Sequence, residues 1–332
     1  MSRGRAPPTN AGDALSVDAA AVARFRGDLS RLVDPDRAVL LVAVSGGGDS
    51  LALLLLAPAV LGDRCLAATV DHGLRPQAAA EARFVAALCA DRGIAHAVLN
   101  GRVEPGGNLS ARARDLRYRL LEAHRQATAA DAVATAHHAD DQVETMVMRL
   151  NRASGVAGLA GVRRRQQRVV RPLLGWRRVD LAALVASQGI TAVDDPTNRD
   201  DRFDRARLRK RLEGVGWINP ARWGASAEAL ADAEDSLLWS ADRIVARRCI
   251  FGEDFASFAA EGIPFELRRR VVGRCIAYLR PRFAPRGDTL ARAVRALDSG
   301  RTFTLAEVRC RVSRRANAPI WHFEPAPPRR LH

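Results

Sequence analysis

The segment Ser45-Gly46-Gly47-Gly48-Asp49-Ser50 decides the fold that this chain is expected to adopt. It follows an apolar run at residues 37–44 and precedes a second apolar run at 51–60, which is helical in pattern. Glycines let a backbone approach a phosphate closely, and a helix N-terminus adds partial positive charge. The segment therefore predicts a phosphate-binding turn between a strand and a helix.

Asp49 is the residue of this turn that needs an explanation. The turn has neither the Gly-Lys-Ser/Thr of a Walker A loop nor the spacing G-x-G-x-x-G. A carboxylate beside a phosphate is unfavourable unless Mg²⁺ lies between them, so Asp49 is a candidate magnesium ligand. The alternative is an ordinary glycine-rich turn in which Asp49 caps the helix.

Strand-like and helix-like runs alternate over the first two thirds of the chain. The strand candidates are residues 37–44, 65–70, 95–99 and 132–136, and the helical stretches are 18–32, 51–60, 77–92 and 110–126. This alternation predicts an α/β fold, a parallel sheet with helices on both faces. Such sheets bind ligands beyond the carboxyl ends of their strands, where the motifs of this chain fall.

The pattern changes after about residue 215. A break at 217–220 is followed by helical stretches at 226–248, 265–279 and 289–297, and by an extended segment at 302–312. We predict one domain at 17–214, which carries the motifs described below, and a small, mainly helical C-terminal domain at 215–324. A disordered tail at 1–16 and a short tail at 325–332 complete the expected organisation.

Composition and charge limit the classes of function. The chain has 332 residues, with 52 Lys and Arg against 37 Asp and Glu, a net charge of +15. This excess favours a polyanionic partner, usually a nucleic acid. The longest apolar run, 51–61, is too short to span a bilayer, and no secretory signal is evident. Five widely spaced cysteines argue against a disulfide framework, a zinc ribbon or an iron–sulfur cluster, so a cytoplasmic protein is expected.

The pattern Ser-Gly-Gly-x-Asp-Ser after a first strand resembles the signature of the PP-loop ATP pyrophosphatases. Further motifs make the chain similar to the tRNA(Ile)-lysidine synthetase family: Asp71-His72-Gly73-Leu74-Arg75, Ala113-Arg114-x-x-Arg117-Tyr118, residues 135–145, Arg171-Pro172-Leu173-Leu174 and Asp195-Pro196-Thr197-Asn198. The resemblance covers residues 37–212 and implies an adenine nucleotide alpha hydrolase-like fold. Over the rest, the chain resembles a short form without the family's last C-terminal domain.

The resemblance implies a specific reaction, the ATP-dependent ligation of L-lysine to carbon 2 of the wobble cytidine of tRNA(Ile) with a CAU anticodon. The implied intermediate is an adenylated cytidine, the implied products include AMP and pyrophosphate, and the implied cofactors are ATP and Mg²⁺. Two alternatives stay open: another PP-loop tRNA-modifying enzyme of the thiolase type, and a non-catalytic nucleotide-dependent RNA-binding protein. The oligomeric state is left open, with a homodimer as one option.

The resemblance also assigns roles to residues. The implied ATP-binding residues are Ser45, Gly46, Gly47, Gly48, Asp49, Ser50, Asp71 and His72. The implied catalytic residues are Asp49, Arg114, His137, Asp141 and Glu144. The implied tRNA-binding residues are Arg75, Arg117, Arg152, Arg205, Arg207 and Arg209, and the C-terminal domain is expected to help bind the tRNA.

The spacing of the acidic cluster has its own interpretation. His137, Asp141 and Glu144 are spaced i, i+4, i+7, which predicts one helix face near the helix start. Such a cluster can hold Mg²⁺, contact ATP or move protons, or it can be merely a capped and solvated helix start. His138 is given at most a packing or hydrogen-bonding role.

The basic residues allow two interpretations each. Arg114 and Arg117, spaced i, i+3, either clamp phosphates or form a solvated basic face, and Asp71 and His72 either contact adenosine or metal or end a strand. The arginine-rich blocks at 163–178 and 202–211 fit phosphate-backbone binding. The chain departs from the family pattern at three positions: Asn151, Ala153 and Ala206. Aromatic residues are 5%, which disfavours a broad base-stacking platform.

Overall fold

A computed structural model describes residues 17–73, 77–103, 107, 109–193, 204–282, 287–315 and 318–327. The chain divides into two compact units, Met1–Ala231 and Asp232–His332. The predicted tail at 1–16 and the last residues, 328–332, lie outside the described part. The predicted boundary between residues 214 and 215 stays a prediction.

The first unit is built on a six-stranded sheet. Its strands are β1 (Leu40–Ala43), β2 (Cys65–Asp71), β3 (Ala95–Asn100), β4 (Ala132–Ala134), β5 (Arg165–Gln166) and β6 (Val169–Val170). They are ordered β3-β2-β1-β4-β6-β5, and every neighbouring pair is parallel except β5 with β6. The predicted parallel sheet is confirmed.

Helices precede, connect and follow these strands, and the last of them continues past Ala231 into the second unit. They are α1 (Ala19–Ser30), α2 (Gly48–Leu61), α3 (Ala78–Asp91), α4 (Leu109–Ala127), α5 (Ala139–Leu150), α6 (Val156–Leu159), α7 (Arg178–Ser187), α8 (Asp204–Leu212) and α9 (Pro220–Arg248). The helical stretches predicted before residue 127 match α1 to α4 within a few residues at each end.

Alternating residues of β1 send their side chains to opposite faces of the sheet. Leu40 and Val42 pack in the larger core with α1, α2 and α7, whereas Leu41 packs with Leu121 of α4. This period-two pattern is expected of a strand covered on both faces. Helices therefore cover both faces of the sheet, as predicted.

The strand order creates a gap at the carboxyl edge of the sheet. From β1 the chain adds β2 and β3 on one side and then β4 on the other side of β1. Ligands of open α/β sheets bind at such a reversal of strand order. The residues that directly follow β1 and β4, 44–50 and 135–138, therefore flank the expected binding crevice.

The second unit combines helices with an antiparallel sheet. It contains α10 (Phe265–Leu279), α11 (Gly287–Asp298), β7 (Cys249–Phe251), β8 (Ala256–Ala259), β9 (Phe303–Leu305), β10 (Val308–Arg315) and β11 (Ala318–Pro325). The strand order is β7-β8-β11-β10-β9. One face of the sheet packs on α10 and α11 through a core that includes Phe258, Val272, Val294 and Trp321.

The expectation of a mainly helical C-terminal domain is corrected by this sheet. The helices predicted at 226–248, 265–279 and 289–297 are present, but only the extended segment at 302–312 anticipated any of the five strands. The strands are short, and the turn between β9 and β10 is made by Ala306 and Glu307, both at positive φ. Turns with positive φ usually contain Asn or Gly, and neither residue occurs at positions 306 and 307, so the sequence did not predict the turn.

Within the described residues, no helix combines the length and the apolar composition needed to cross a bilayer.

Candidate functional site at the carboxyl edge of the sheet

The turn after β1 is closed by its own side chains. The Ser45 backbone N–H donates to Ser50 Oγ at 3.1 Å, and the Ser50 hydroxyl donates to the Gly47 carbonyl at 2.8 Å. Gly47 is the extended N-cap of α2, which begins at Gly48. The turn therefore directs the free backbone N–H groups of a helix N-terminus toward the crevice, an arrangement suited to phosphate.

Gly46 has a conformation that requires glycine. Its φ is +83°, and a Cβ at this position would lie 3.2 Å from Val193 Cγ2. The Gly46 carbonyl also accepts a hydrogen bond from the Val193 N–H at 3.0 Å. Side chains other than hydrogen are disfavoured at positive φ, so a substitution here disturbs the phosphate-binding turn itself.

His138 lies at the centre of the site, where it contacts three carboxylates. Its Nε2 is 3.4 Å from Asp49 Oδ2 and 3.6 Å from Asp141 Oδ2, and its Nδ1 is 3.6 Å from Asp140 Oδ2. Burial, with 1% of the residue exposed, disfavours the charged ring, but the carboxylates outweigh it and raise the pKa of His138 to about 10. His138 is therefore an imidazolium at neutral pH that joins the turn after β1 to α5.

The pKa values of the carboxylates around His138 are lowered, whereas that of His138 is raised. Burial alone raises the pKa of Asp49, but His138 with nearby Arg178 and Arg209 lowers it below its usual range. The pKa of Asp140 falls to about 2 because contacts with His138 and the Arg178 backbone N–H outweigh burial. Both groups are therefore ionised at neutral pH.

His137 has a different environment from its neighbour. It precedes α5, which begins at Ala139. The prediction that His137 shares a helix face with Asp141 and Glu144 is therefore wrong for His137, because this residue lies outside the helix. His137 Nδ1 is hydrogen-bonded to Thr135 Oγ1 at 2.9 Å. Burial lowers the pKa of His137 to about 3, with help from Arg171, Arg114 and Arg117 and against the influence of Asp141. His137 is therefore neutral while His138 is charged.

Glu144 is paired with arginines of α8. Arg205 Nε donates to Glu144 Oε2 at 2.7 Å, and Arg209 Nε donates to Glu144 Oε1 at 2.7 Å. Arg205 also reaches Asp141 Oδ1 at 3.0 Å. Burial raises the pKa of Glu144, but hydrogen bonds from Arg209 and Arg205 lower it overall. Two arginines predicted to bind tRNA thus face the acidic cluster and hold α8 against α5.

The other predicted basic residues lie in three places. Arg152 and Arg207 lie at the surface, where both pair with Asp204. The guanidiniums of Arg114 and Arg117 lie 5.1 and 5.4 Å from the Tyr118 ring centre on α4. Arg75 and residues 195–198 lie outside the described residues.

Asp71 is the last residue of β2, which lies next to β1 in the sheet, and His72 follows it. Asp71 Oδ1 accepts a hydrogen bond from the Gly73 N–H at 2.8 Å, and Gly73 has a φ of +64°. This contact is the one expected of a strand-ending turn. The structure therefore gives Asp71 a turn-forming role, and it places Asp71 and His72 at the same sheet edge as the phosphate-binding turn.

His138 and Asp140 are the site residues that the sequence-based assignment left out. A weak signal was present, since His138 precedes two consecutive aspartates and stands three residues before Asp141. That spacing matches a capping box, and the Asp141 carboxylate does accept a hydrogen bond from the His138 N–H at 3.1 Å. The contact with Asp49 has no signal in the local sequence.

The residues present fit a magnesium ion that is bound by one protein carboxylate together with the substrate phosphates and water. The Asp49 side chain is 37% exposed at the start of α2, and no group of three potential metal-binding side chains occurs in the described part of the chain. Mg²⁺ commonly uses one or two carboxylates together with substrate phosphates and water. Asp49 fits that mode, whereas a cage made only of protein ligands is not present among these residues.

The cysteines of the first unit are poor nucleophiles. Cys65 and Cys89 are both buried. Burial raises the pKa of Cys65 to about 12 and that of Cys89 to about 11. Both therefore remain thiols at neutral pH, and the thiolate is the reactive form.

Comparison with known proteins agrees with this geometry. The PP-loop domain family matches residues 22–214. A tRNA(Ile)-lysidine synthase of Novosphingobium aromaticivorans is 41% identical over 96% of this chain and 97% of its own length. A tRNA(Ile)-lysidine synthase of Zymomonas mobilis is 38% identical over 87% of this chain and 89% of its own. The resemblance drawn from the motifs is confirmed.

A solved structure shares the fold. The U34-tRNA thiolase NcsA of Methanococcus maripaludis superimposes with a TM-score of 0.55 over 64% of this chain and 79% of its own. Its sequence identity to this chain is 17%, so the likeness concerns the fold alone.

Proposed function

The chain belongs to the tRNA(Ile)-lysidine synthase family of PP-loop proteins, and we propose that it ligates L-lysine to carbon 2 of the wobble cytidine of tRNA(Ile) with a CAU anticodon. The observation that carries the proposal is the contact of His138 with Asp49. It joins the phosphate-binding turn after β1 to the acidic start of α5, across the point where the strand order reverses.

In the first step the cytosine carbonyl oxygen attacks the α-phosphate of ATP, and pyrophosphate leaves. The backbone N–H groups at 46–50 and the N-terminus of α2 bind the leaving pyrophosphate. Asp49 would hold Mg²⁺, which neutralises phosphate charge when it is bound. His138 keeps the Asp49 carboxylate ionised and oriented toward the crevice.

Arg114 fits a stabilising role in this first step. Its side chain is exposed on α4 and lies close enough to His137 to influence the pKa of that ring. A guanidinium at this place can pair with the negative charge that develops on the transferring phosphate.

In the second step the ε-amine of lysine attacks carbon 2 of the activated cytosine, and AMP leaves. The amine must be deprotonated to be nucleophilic. His137 is neutral, and because Thr135 engages its Nδ1, its Nε2 is the ring nitrogen available to orient the amine. Asp141, which influences the same ring, would accept the proton.

The tRNA is expected to bind through surface arginines and the positive charge of the chain. Arg152 and Arg207 are exposed and suited to the phosphate backbone, and the assignment of Arg75 to the same role stays a prediction. Arg117 is half-buried against the Tyr118 ring and is not assigned to the tRNA. Arg205 and Arg209 act instead by holding Glu144 and Asp141. We place the reaction in the cytoplasm, where free lysine, ATP and tRNA meet.

The alternatives predict different chemistry. A thiolase that uses paired cysteines is disfavoured because Cys65 and Cys89 are buried thiols with raised pKa values. A non-catalytic RNA-binding protein would not need the closed turn at 45–50 or the carboxylates around His138.

The experiment incubates purified protein with ATP, Mg²⁺, lysine and an unmodified tRNA(Ile) transcript, and measures AMP, pyrophosphate and the nucleosides released by nuclease digestion. We expect one AMP and one pyrophosphate for each lysine-modified cytidine. Asp49→Asn should lower the rate strongly, whereas Asp63→Asn, on the exposed turn Gly62–Arg64, should not. Product release without modified cytidine, or no release at all, would overturn the proposal.

A further inference from the structure

Arg171 is a buried cation that the proposed reaction does not use. It follows β6, is 3% exposed, and donates from Nη1 to the Arg163 carbonyl at 2.7 Å. Its Nε is buried without a hydrogen-bond partner. Within the described residues, the groups that act on Arg171 are the Arg163 carbonyl, the Tyr118 hydroxyl and the Arg114 guanidinium, and no carboxylate is among them.

The strand arrangement brings Arg171 to His137. β4 and β6 are parallel neighbours, and the Thr135 N–H donates to the Val170 carbonyl at 3.0 Å. Thr135 and Arg171 directly follow these two strands, and His137 lies two residues beyond Thr135 at the same carboxyl edge. Arg171 is close enough to His137 to contribute to the low pKa of that ring.

Two further arginines and a tyrosine complete this corner of the site. Arg114 and Arg117 both lie over the Tyr118 ring, and Tyr118 also influences the guanidinium of Arg171. The Tyr118 hydroxyl is buried beside the guanidiniums of Arg117 and Arg171 and favours their charged forms, although no hydrogen bond of regular geometry joins them. The guanidiniums of Arg117 and Arg171 thus meet at the Tyr118 hydroxyl, and in the part of the chain that the structure describes no carboxylate is among the groups that act on them.

Two other shielded arginines, Arg270 and Arg209, are paired with carboxylates. Arg270 donates to both Glu234 oxygens at 2.7 Å, and Arg209 pairs with Glu144 at 2.7 Å. Buried cations without a partner are costly, and arginine does not relieve the cost by losing its proton. The arrangement around Arg171 is therefore the one expected of a subsite whose oxyanion arrives with the substrate.

We propose that Arg171, Arg117 and Tyr118 form the subsite that binds the α-carboxylate of the lysine substrate, beside the His137 ring that orients its ε-amine. The proposal rests on the proposed function. A carboxylate is planar and matches the fork of a guanidinium. The phosphates of ATP have their own site after β1, two strands away from β6, and Arg171 is too buried to meet the backbone of a large RNA.

The test compares lysine with cadaverine, which keeps the amine but lacks the carboxylate. With wild-type protein we expect efficient use of lysine and poor use of cadaverine. In Arg171→Gln the kcat/KM for lysine should fall roughly 100-fold, the usual scale for truncating a buried charge pair, while that for cadaverine stays unchanged. The KM values for ATP and tRNA should also stay unchanged.

Arg117→Gln is the second variant, since the half-buried Arg117 is less critical for folding than Arg171. It should show the same selective loss of lysine use, and melting temperatures of both variants show whether they fold. Equal losses for lysine and cadaverine, or a raised KM for ATP or tRNA, would overturn the carboxylate subsite and indicate a phosphate ligand instead. Absence of lysine incorporation by wild type would instead overturn the proposed function.

Discussion

His138 Nε2 lies 3.4 Å from Asp49 Oδ2, although the two residues belong to turns that follow different strands. The turns follow β1 and β4, which are neighbours in the sheet, so the contact spans the reversal of strand order. The same imidazolium faces Asp140 and Asp141. One buried cation therefore fixes the phosphate-binding turn relative to the acidic start of α5.

Replacement of His138 by Gln should impair catalysis. Without the imidazolium, Asp49, Asp140 and Asp141 repel one another, and Asp49 loses the contact that orients it. We expect kcat for tRNA-dependent release of pyrophosphate to fall roughly 10- to 100-fold, as when a supporting contact is lost. The control is His124→Gln in the last turn of α4, and equal rates in both variants would contradict the role of His138.

The raised pKa of His138 should also make stability depend on pH. Its pKa rises from 6.5 in the unfolded chain to about 10 in the fold, so its stabilising contribution is complete below pH 6.5 and is lost as pH rises through about 10. The difference in free energy of unfolding between wild type and His138→Gln, measured by urea titration, should therefore shrink between pH 7 and pH 10. A difference that does not vary with pH would show that His138 is neutral in the fold.

Gly46→Ala should damage the phosphate-binding turn. The new Cβ would be strained at a φ of +83° and would lie 3.2 Å from Val193 Cγ2. Gly62→Ala is the matched control, because Gly62 has a φ of +58° and open space around it. Each substitution should cost about 1 kcal/mol or more in stability. Only Gly46→Ala should raise the KM for ATP, and an unchanged KM would argue against phosphate binding at this turn.

Glu144→Ala should destabilise the first unit. Glu144 is 3% exposed and pairs with Arg205 and Arg209, so its loss leaves two guanidiniums without their main partner. Because the two arginines are partly exposed, we expect the loss to cost about 2–3 kcal/mol, less than for a fully buried pair. Glu228→Ala removes the exposed partner of Arg164 and should cost less than about 1 kcal/mol. Similar unfolding midpoints for the two variants would show that the buried pair is not structural.

Most strands and helices of the first unit could be predicted from the sequence, because each one corresponds to a short pattern of consecutive residues. Apolar runs bounded by turns predict β1 to β4, and periodic stretches predict α1 to α4. The two-residue strands β5 and β6 are too short to leave such a pattern. In the second unit, the turn at Ala306 and Glu307 has no glycine, and the sheet was largely missed.

Site residues could be predicted from the sequence only where a reactive or phosphate-binding residue type also lies within a recognisable motif. The turn at 45–50 and the carboxylates Asp141 and Glu144 were found from residue type and spacing. The role of His138 depends on a contact with Asp49 that only the sheet order creates. The pairing of Arg205 with Glu144 likewise depends on how α8 packs against α5. The run of basic residues at 202–211, taken alone, therefore led to a prediction of RNA binding for Arg205.

The most direct test of the proposed reaction measures carbon-14-labelled lysine incorporated into two tRNA(Ile) transcripts that differ only at the wobble position, one with cytidine and one with uridine. With ATP and Mg²⁺ present, we predict close to one lysine per cytidine-containing transcript and none in the uridine-containing one. Label in neither transcript, or equal label in both, would contradict the assignment of this chain as a ligase that joins lysine to the wobble cytidine.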